Sequence, residues 1–123
     1  MQPHVLVVDD EAALCEMLSL YLVHKGFLVT TAGTIEQAME QLETNSFAFN
    51  LVILDLNLAG QDGLEVLRFV KARKPNLPII IFTGVDVDEN LVKKWLSDRA
   101  DGFMRKTDGL QKLFAEIQRH LHN

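Results

Sequence analysis

Short runs of apolar, β-forming residues alternate five times along this chain with longer stretches that have helical periodicity. The runs are predicted strands, at residues 4–9, 27–32, 51–55, 78–84 and 101–106. Such alternation implies right-handed βαβ crossovers and a mainly parallel sheet with helices on both faces. Because the first, third and fourth runs are apolar without a break, both faces of those strands are predicted to be buried.

Five helices are predicted, each with one apolar face toward the sheet. The first ends near Gly26, and the second begins with a capping box from Thr34 to Gln37. Pro75 stops the third, and the fourth begins at Asp88 or a neighbour. The residues predicted to face the sheet are Leu14, Met17, Leu18, Tyr21 and Leu22 in the first helix, and Leu91, Val92, Trp95 and Leu96 in the fourth.

The composition is that of a single soluble domain, which we expect to occupy residues 1–123. The formal net charge of -5 disfavours direct nucleic-acid binding, and no basic stripe suggests a membrane surface. A single cysteine, Cys15, excludes an internal disulfide and favours a reducing compartment. No apolar run approaches the roughly 20 residues of a membrane span. Because the N-terminus lacks the features of a signal peptide, we expect a cytoplasmic location.

Polar residues stand at the carboxyl ends of four of the five predicted strands. Asp9 ends the first strand and is followed by Asp10. Asp55 ends the third strand, Thr83 stands at the end of the fourth, and Lys106 ends or follows the fifth. Ligands of open α/β sheets bind at this edge. Three carboxylates brought together there would repel one another, and a divalent cation such as Mg²⁺ would relieve the repulsion.

This set of groups suits phosphoryl transfer, which needs positioning and charge stabilisation more than elaborate covalent machinery. Asp55 can attack phosphorus, because carboxylates form acyl phosphates. Mg²⁺ and Lys106 would hold two phosphoryl oxygens, and the Thr83 hydroxyl could donate to another. Taken singly, each aspartate could instead cap the helix that follows it.

Four segments carry a resemblance to a known family: "VVDDE" (7–11), "LVILDLNLAGQDGLEVL" (51–67), "IIIFTG" (79–84) and "ADGFMRK" (100–106). In this order and spacing, the sequence resembles the receiver domain of two-component response regulators over essentially its whole length. The resemblance implies a flavodoxin-like, doubly wound α/β fold: a five-stranded parallel sheet of order 2-1-3-4-5 with five helices. The strand order comes from the resemblance and not from the sequence pattern.

The resemblance also implies an acceptor and a metal site. Asp55 matches the residue that receives the phosphoryl group. Asp10 and Asp55 match direct ligands of Mg²⁺, with Asp9 nearby and often acting through water. Asn57 matches the position whose backbone carbonyl completes the metal site.

Thr83 and Lys106 match the hydroxyl and the lysine that bind the phosphoryl group, and Phe103 matches an aromatic switch that turns inward when the hydroxyl is drawn toward phosphate. Two positions depart from the family pattern. Thr107 follows Lys106 where the family usually has proline, so we expect a trans peptide, since a cis bond before a non-proline residue costs ~2.5–4 kcal/mol. Ala59 stands where proline is common, which predicts a less rigid loop after Asp55.

The resemblance therefore predicts a phosphoacceptor that takes its phosphoryl group from a sensor histidine kinase or a phosphotransfer protein. Such a domain catalyses only its own phosphorylation and dephosphorylation and is not an enzyme with an independent substrate. Its output would be a change in the face formed by helix 4, strand 5 and helix 5, which could form a homodimer. Two alternatives stay open. One is an unphosphorylated protein-binding module. The other is a phosphatase of the haloacid-dehalogenase type, although that family has a second acidic residue at the position of Asn57.

Overall fold

The computed structural model describes residues 2–45, 48–84 and 89–121, which contain one parallel sheet. Its strands are β1 (His4–Val8), β2 (Leu28–Ala32), β3 (Leu51–Leu54), β4 (Ile79–Thr83) and β5 (Gly102–Arg105). The helices are α1 (Ala12–His24), α2 (Ile35–Asn45), α3 (Leu64–Arg73), α4 (Glu89–Ser97) and α5 (Leu110–Leu121). The strand order β2-β1-β3-β4-β5 confirms the predicted flavodoxin-like fold.

All five predicted strands are present, each one or two residues shorter than its sequence signal. β1 and β3 end side by side, since Val8 pairs with Leu54. β4 continues two residues beyond Ile81, the partner of Leu54, in the same parallel direction. Whatever follows these strands therefore lies along a single edge of the sheet. Asp88, the predicted start of the fourth helix, lies outside the described residues.

The sheet separates two hydrophobic cores, because successive side chains of a strand point to opposite faces. Leu6 and Val8 of β1 belong to the core that includes α2, α3 and Trp95 of α4. Val5 and Val7 belong to the core formed with α1 and α5. This double coverage explains why β1, β3 and β4 are apolar without alternation, as the sequence indicated.

Two predicted packing residues are exposed instead. Met17 of α1 points outward, and Cys15 takes a buried place beside Leu18. In α4, Trp95 is buried as predicted, but Leu96 is largely exposed. The error in α1 has a physical cause: this helix is apolar on nearly every side, so its spacing did not single out one face.

No helix in the described ranges is long and apolar enough to cross a bilayer.

Lys71 of α3 is buried and joins three segments at the amino edge of the sheet. Its ammonium donates to the Leu77 carbonyl at 2.7 Å and to Asp101 Oδ2 at 2.7 Å. Asp101 Oδ2 also accepts the Ile79 N–H at 2.8 Å, at the start of β4. The ammonium of Lys71 therefore ties α3 to the first residues of β4 and to the residue before β5.

We expect Lys71→Met to lower the free energy of unfolding by about 2–3 kcal/mol, because it leaves a buried carbonyl and a carboxylate without their donor. Arg68→Met on the same helix is the matched control. The Arg68–Asp98 pair is 3.7 Å apart and partly exposed, so its loss should change stability by no more than about 0.5 kcal/mol. Urea unfolding of both variants measures the difference, and equal effects would contradict the role given to Lys71.

Candidate functional site

Four sequence-predicted residues lie at the carboxyl edge of the sheet. Asp9 follows β1, and its N–H donates to the Ala32 carbonyl at 3.0 Å. Asp55 follows β3, and its N–H donates to the Val8 carbonyl at 2.9 Å. Thr83 is the last residue of β4, and Lys106 comes directly after β5. Asp9, Asp55 and Thr83 are all buried, which polar side chains rarely are unless they have interaction partners.

The ammonium of Lys106 is the centre of this arrangement. Its Nζ lies 2.9 Å from Asp9 Oδ2 and 3.0 Å from Asp55 Oδ2. It also lies 2.6 Å from Glu11 Oε1, whose side chain is otherwise exposed. One cation thus bridges acids from the ends of two neighbouring strands.

Burial and ion pairing oppose each other at this site. Burial would lower the pKa of Lys106, but the hydrogen bonds to Glu11, Asp9 and Asp55 raise that pKa by more, so the ammonium stays charged. For Asp9, burial raises the pKa above the ordinary carboxyl value. The hydrogen bonds that Asp9 accepts from Lys106 and from the Glu11 N–H offset only part of that rise. Additional positive charge would therefore stabilise the ionised acids further.

The same acids form a donor set for a hard cation. Carboxylate oxygens of Asp9, Glu11 and Asp55 all lie within 4.8 Å of one another. Mg²⁺ prefers oxygen ligands of this kind, so the residues fit the predicted metal. Glu11 was not among the predicted site residues, and its only signal was its place as the third acid of "VVDDE".

Asp10 and Asn57, two predicted metal ligands, lie at the rim of this group. The carboxylate of Asp10 is exposed, and its Oδ2 accepts the Ala59 N–H at 2.9 Å. Among the described residues, the set of closely spaced acids does not include Asp10. The N–H of Asn57 donates to Asp55 Oδ1 at 3.2 Å, which holds this segment against the acceptor. The metal-binding roles of both residues stay predictions.

The loop after Asp55 forms a small antiparallel hairpin that the sequence did not predict. Asn57–Leu58 pairs with Gln61–Asp62, leaving Ala59 and Gly60 as the two turn residues. Both have positive φ, +51° and +83°, the pattern of a type I′ turn. Proline, whose φ is fixed near -65°, could not occupy the position of Ala59 in this turn. The departure from the family pattern at Ala59 therefore accompanies a specific loop shape.

A glycine lets the hairpin return closely to the acceptor. A Cβ atom at Gly63 would lie 2.6 Å from the backbone carbonyl oxygen of Asp55, so no other residue fits without a shift. The Gly63 N–H donates to the Leu56 carbonyl at 2.8 Å, and Asp62 Oδ1 accepts the Leu64 N–H at 2.9 Å. These contacts start α3 directly beside the site.

Lys106 begins a 3₁₀ turn, Lys106–Asp108, that leads into α5. Asp108 Oδ2 accepts the Arg105 N–H at 2.9 Å and closes this turn. The described residues contain no cis peptide bond, so the bond before Thr107 is trans, as expected where no proline follows the lysine.

Phe103, the predicted switch, is half-buried and stacks on Trp95 of α4. The ring centroids are 5.8 Å apart and the planes differ by 30°. Trp95 and Thr83 both line a groove of about 360 Å³ that reaches Asn57. Phe103 therefore contacts Trp95, and Trp95 lines the same groove as Thr83, the residue predicted to bind the phosphoryl group.

Cys15 lies beneath the site and is structural. Its S–H donates to the Asp9 carbonyl at 3.3 Å. Burial raises the pKa of the thiol to about 11, and the nearby charge of Asp9 adds to the rise. Because a thiolate is the reactive form, this cysteine is inert at neutral pH.

Comparisons with known proteins identify the class. The sequence model of the response regulator receiver domain family matches residues 5–118. A receiver domain protein from Methanospirillum hungatei has the same fold, with a TM-score of 0.89, 27% identity, and coverage of 98% of this chain and 94% of that one. The chain therefore belongs to the response regulator receiver domain family.

Two curated relatives show the setting in which such domains occur. A cyclic di-GMP phosphodiesterase of Thermotoga maritima is 33% identical over 119 residues, which is 97% of this chain and 31% of that protein. The transcriptional regulatory protein ZraR of Escherichia coli is 31% identical over 121 residues, which is 97% of this chain and 27% of that protein. The chain thus spans about a third or less of these relatives.

We expect Ala59→Asn to stabilise the protein by about 0.5–1 kcal/mol, because asparagine tolerates the left-handed region and Asn-Gly is the preferred type I′ sequence. Ala59→Pro should destabilise the protein by about 1–3 kcal/mol. Proline cannot adopt this φ, and it lacks the N–H that donates a hydrogen bond to Asp10 Oδ2. Thermal unfolding checks both. If the proline variant were as stable as the parent, the turn described here would be wrong.

Proposed function

We propose that this domain accepts a phosphoryl group on Asp55 from a sensor histidine kinase or a phosphotransfer protein in a two-component phosphorelay. The observation that carries the proposal is the Lys106 ammonium held between the buried carboxylates of Asp9 and Asp55. An ammonium group that is largely shielded from solvent and lies 3.0 Å from Asp55 Oδ2 supplies the positive charge that a site receiving a dianion needs. Membership of the receiver family supports it, because receiver domains of response regulators interact with histidine kinases.

In the proposed reaction, a carboxylate oxygen of Asp55 attacks the phosphorus of a phosphohistidine. The P–O bond forms as the P–N bond breaks, and the bonding electron pair returns to the imidazole nitrogen. Lys106 already touches Asp55 Oδ2, so its ammonium is placed to hold a phosphoryl oxygen as negative charge arrives. Thr83 and the Asn57 N–H are the neighbouring donors. The chain modifies only itself and turns over no independent substrate.

Asp9, Asp10 and Asp55, with the backbone carbonyl of Asn57, are the proposed ligands of Mg²⁺. When bound, the ion supplies positive charge that offsets both the acids and the phosphoryl oxygens. The raised pKa of Asp9 supports the assignment, since it marks a buried acid that Lys106 compensates only in part.

In the proposed output, a movement of Thr83 on phosphorylation leads to a movement of Phe103. A Thr83 hydroxyl drawn toward phosphate leaves space at the end of β4, and Phe103 turning inward would abandon its stack on Trp95. That change would alter the face formed by α4, β5 and α5, the proposed surface for a partner or a homodimer. We further propose that residues 1–123 form one such receiver unit, with cytoplasmic partners.

Intact-mass spectrometry with acetyl phosphate and Mg²⁺ tests the proposal. We expect the wild-type chain to gain the mass of one phosphoryl group and to lose it with hydroxylamine, which cleaves acyl phosphates. Asp55→Asn should gain nothing.

Asp62→Asn is the matched control, because Asp62 is an exposed carboxylate in the same loop and asparagine can still accept the Leu64 N–H. This variant should be phosphorylated like the wild type. An unchanged wild-type mass would favour the protein-binding module, and sustained hydrolysis of a generic phosphate ester would favour the phosphatase.

A Mg²⁺ titration followed by Trp95 fluorescence tests the metal ligands. We expect Asp10→Asn to weaken binding by about tenfold or more, because even the loss of a group that only supports a metal ligand typically costs about 10–100-fold in affinity. Glu11→Gln is the control: we expect a smaller loss, because Glu11 is exposed, pairs with Lys106 and is not one of the proposed ligands. The opposite ranking would show that the acids around Lys106, and not Asp10, hold the ion.

A further inference from the structure

The outer face of α1 carries an unusual concentration of exposed apolar side chains. Five large apolar side chains are strongly exposed in the described part of the chain, and three of them lie on this helix. Met17 is 49% exposed, Leu20 69% and Val23 56%. The opposite face of the same helix is buried against the sheet. A helix that is apolar on both faces is normally covered on both.

The sequence of this face is symmetric about Leu20. Met17 and Val23 stand three residues to either side, and Glu16 and His24 stand four residues to either side. These five positions fall on one side of a helix with 3.6 residues per turn. If two copies of α1 pair in antiparallel fashion about Leu20, each Met17 lies opposite the other copy's Val23.

The charges complete the match. In the same arrangement, each Glu16 lies opposite His24 of the other copy, so that an imidazole N–H can donate to a carboxylate at both ends. Both side chains are exposed and available for such a contact. A two-fold axis requires that a surface complement itself, and few helix faces satisfy this in both shape and charge.

We propose that α1 docks a second copy of this chain, antiparallel, through Met17, Leu20 and Val23. The 13-residue helix is about 20 Å long, so the contact is small and the dimer is weak and reversible. This arrangement leaves the face formed by α4, β5 and α5 uncovered. It therefore differs from the homodimer that the family resemblance implies, and it does not depend on phosphorylation of Asp55.

Sedimentation of the unphosphorylated chain between about 10 µM and about 1 mM tests the proposal, since this range covers weak association. We expect a concentration-dependent dimer in the wild type. Leu20→Glu should raise the dissociation constant at least about tenfold, because it buries a charge at the centre of the contact. Leu20 is exposed, so this variant should remain folded, which circular dichroism verifies. Leu96→Glu on α4 is the control and should dimerise like the wild type, because Leu96, 44% exposed, belongs to the other face.

Charge reversal tests the orientation. His24→Glu places two acids opposite two others and should weaken the dimer about three- to fivefold. Adding Glu16→Lys should restore wild-type association by making both contacts attractive again. A wild-type chain that stays monomeric throughout, a Leu20→Glu variant that dimerises normally, or a double variant no better than the single one would each overturn the proposal.

Discussion

A single ammonium group makes the carboxyl edge of this sheet possible. Two carboxylates, Asp9 and Asp55, are buried at the ends of neighbouring parallel strands, where their charges repel. Lys106 lies within 3.0 Å of both and approaches from a third strand. The lysine can do so because β4 and β5 continue the same parallel register. The fold therefore creates the site: the sheet brings the acids together, and Lys106, directly after the last strand, supplies positive charge that offsets their repulsion.

Much of this could be predicted from the sequence, for identifiable reasons. Strand positions follow from short runs of β-forming residues, and those of β1, β3 and β4 are rich in valine, isoleucine or leucine. The site follows because polar residues end four such runs, and parallel strands bring their ends to one edge. Membership of the receiver family, and with it the strand order, came from the spacing of four segments and agrees with the structure.

Other features were hidden because the sequence signal was weak or misleading. Alanine carries no mark of a positive φ, so the turn at Ala59 was missed. Lys71 resembled an ordinary helix-terminal cation, and its burial depends on Asp101, thirty positions away. Glu11 could have been included with Asp9, but distance along the chain does not reveal which acid of a run will reach Lys106. Met17 of α1 was assigned to the wrong face, because the apolar residues of this helix occur on both sides.

The two edges of the sheet differ in mechanical character. At the amino edge, Lys71 fastens the end of α3 to the start of β4 and to the residue before β5 through fixed hydrogen bonds. At the carboxyl edge, β4 ends at Thr83 and Lys106 directly follows β5, and an anion bound there would compete with Asp9 and Asp55 for the lysine. The Lys71–Asp101 contact therefore holds the residue before β5, while the opposite end of the strand is followed by Lys106 at the acids. β5 has only four residues, so Phe103 lies close along the chain to Lys106. A displacement of the lysine would therefore be passed to the stack of Phe103 on Trp95 of α4.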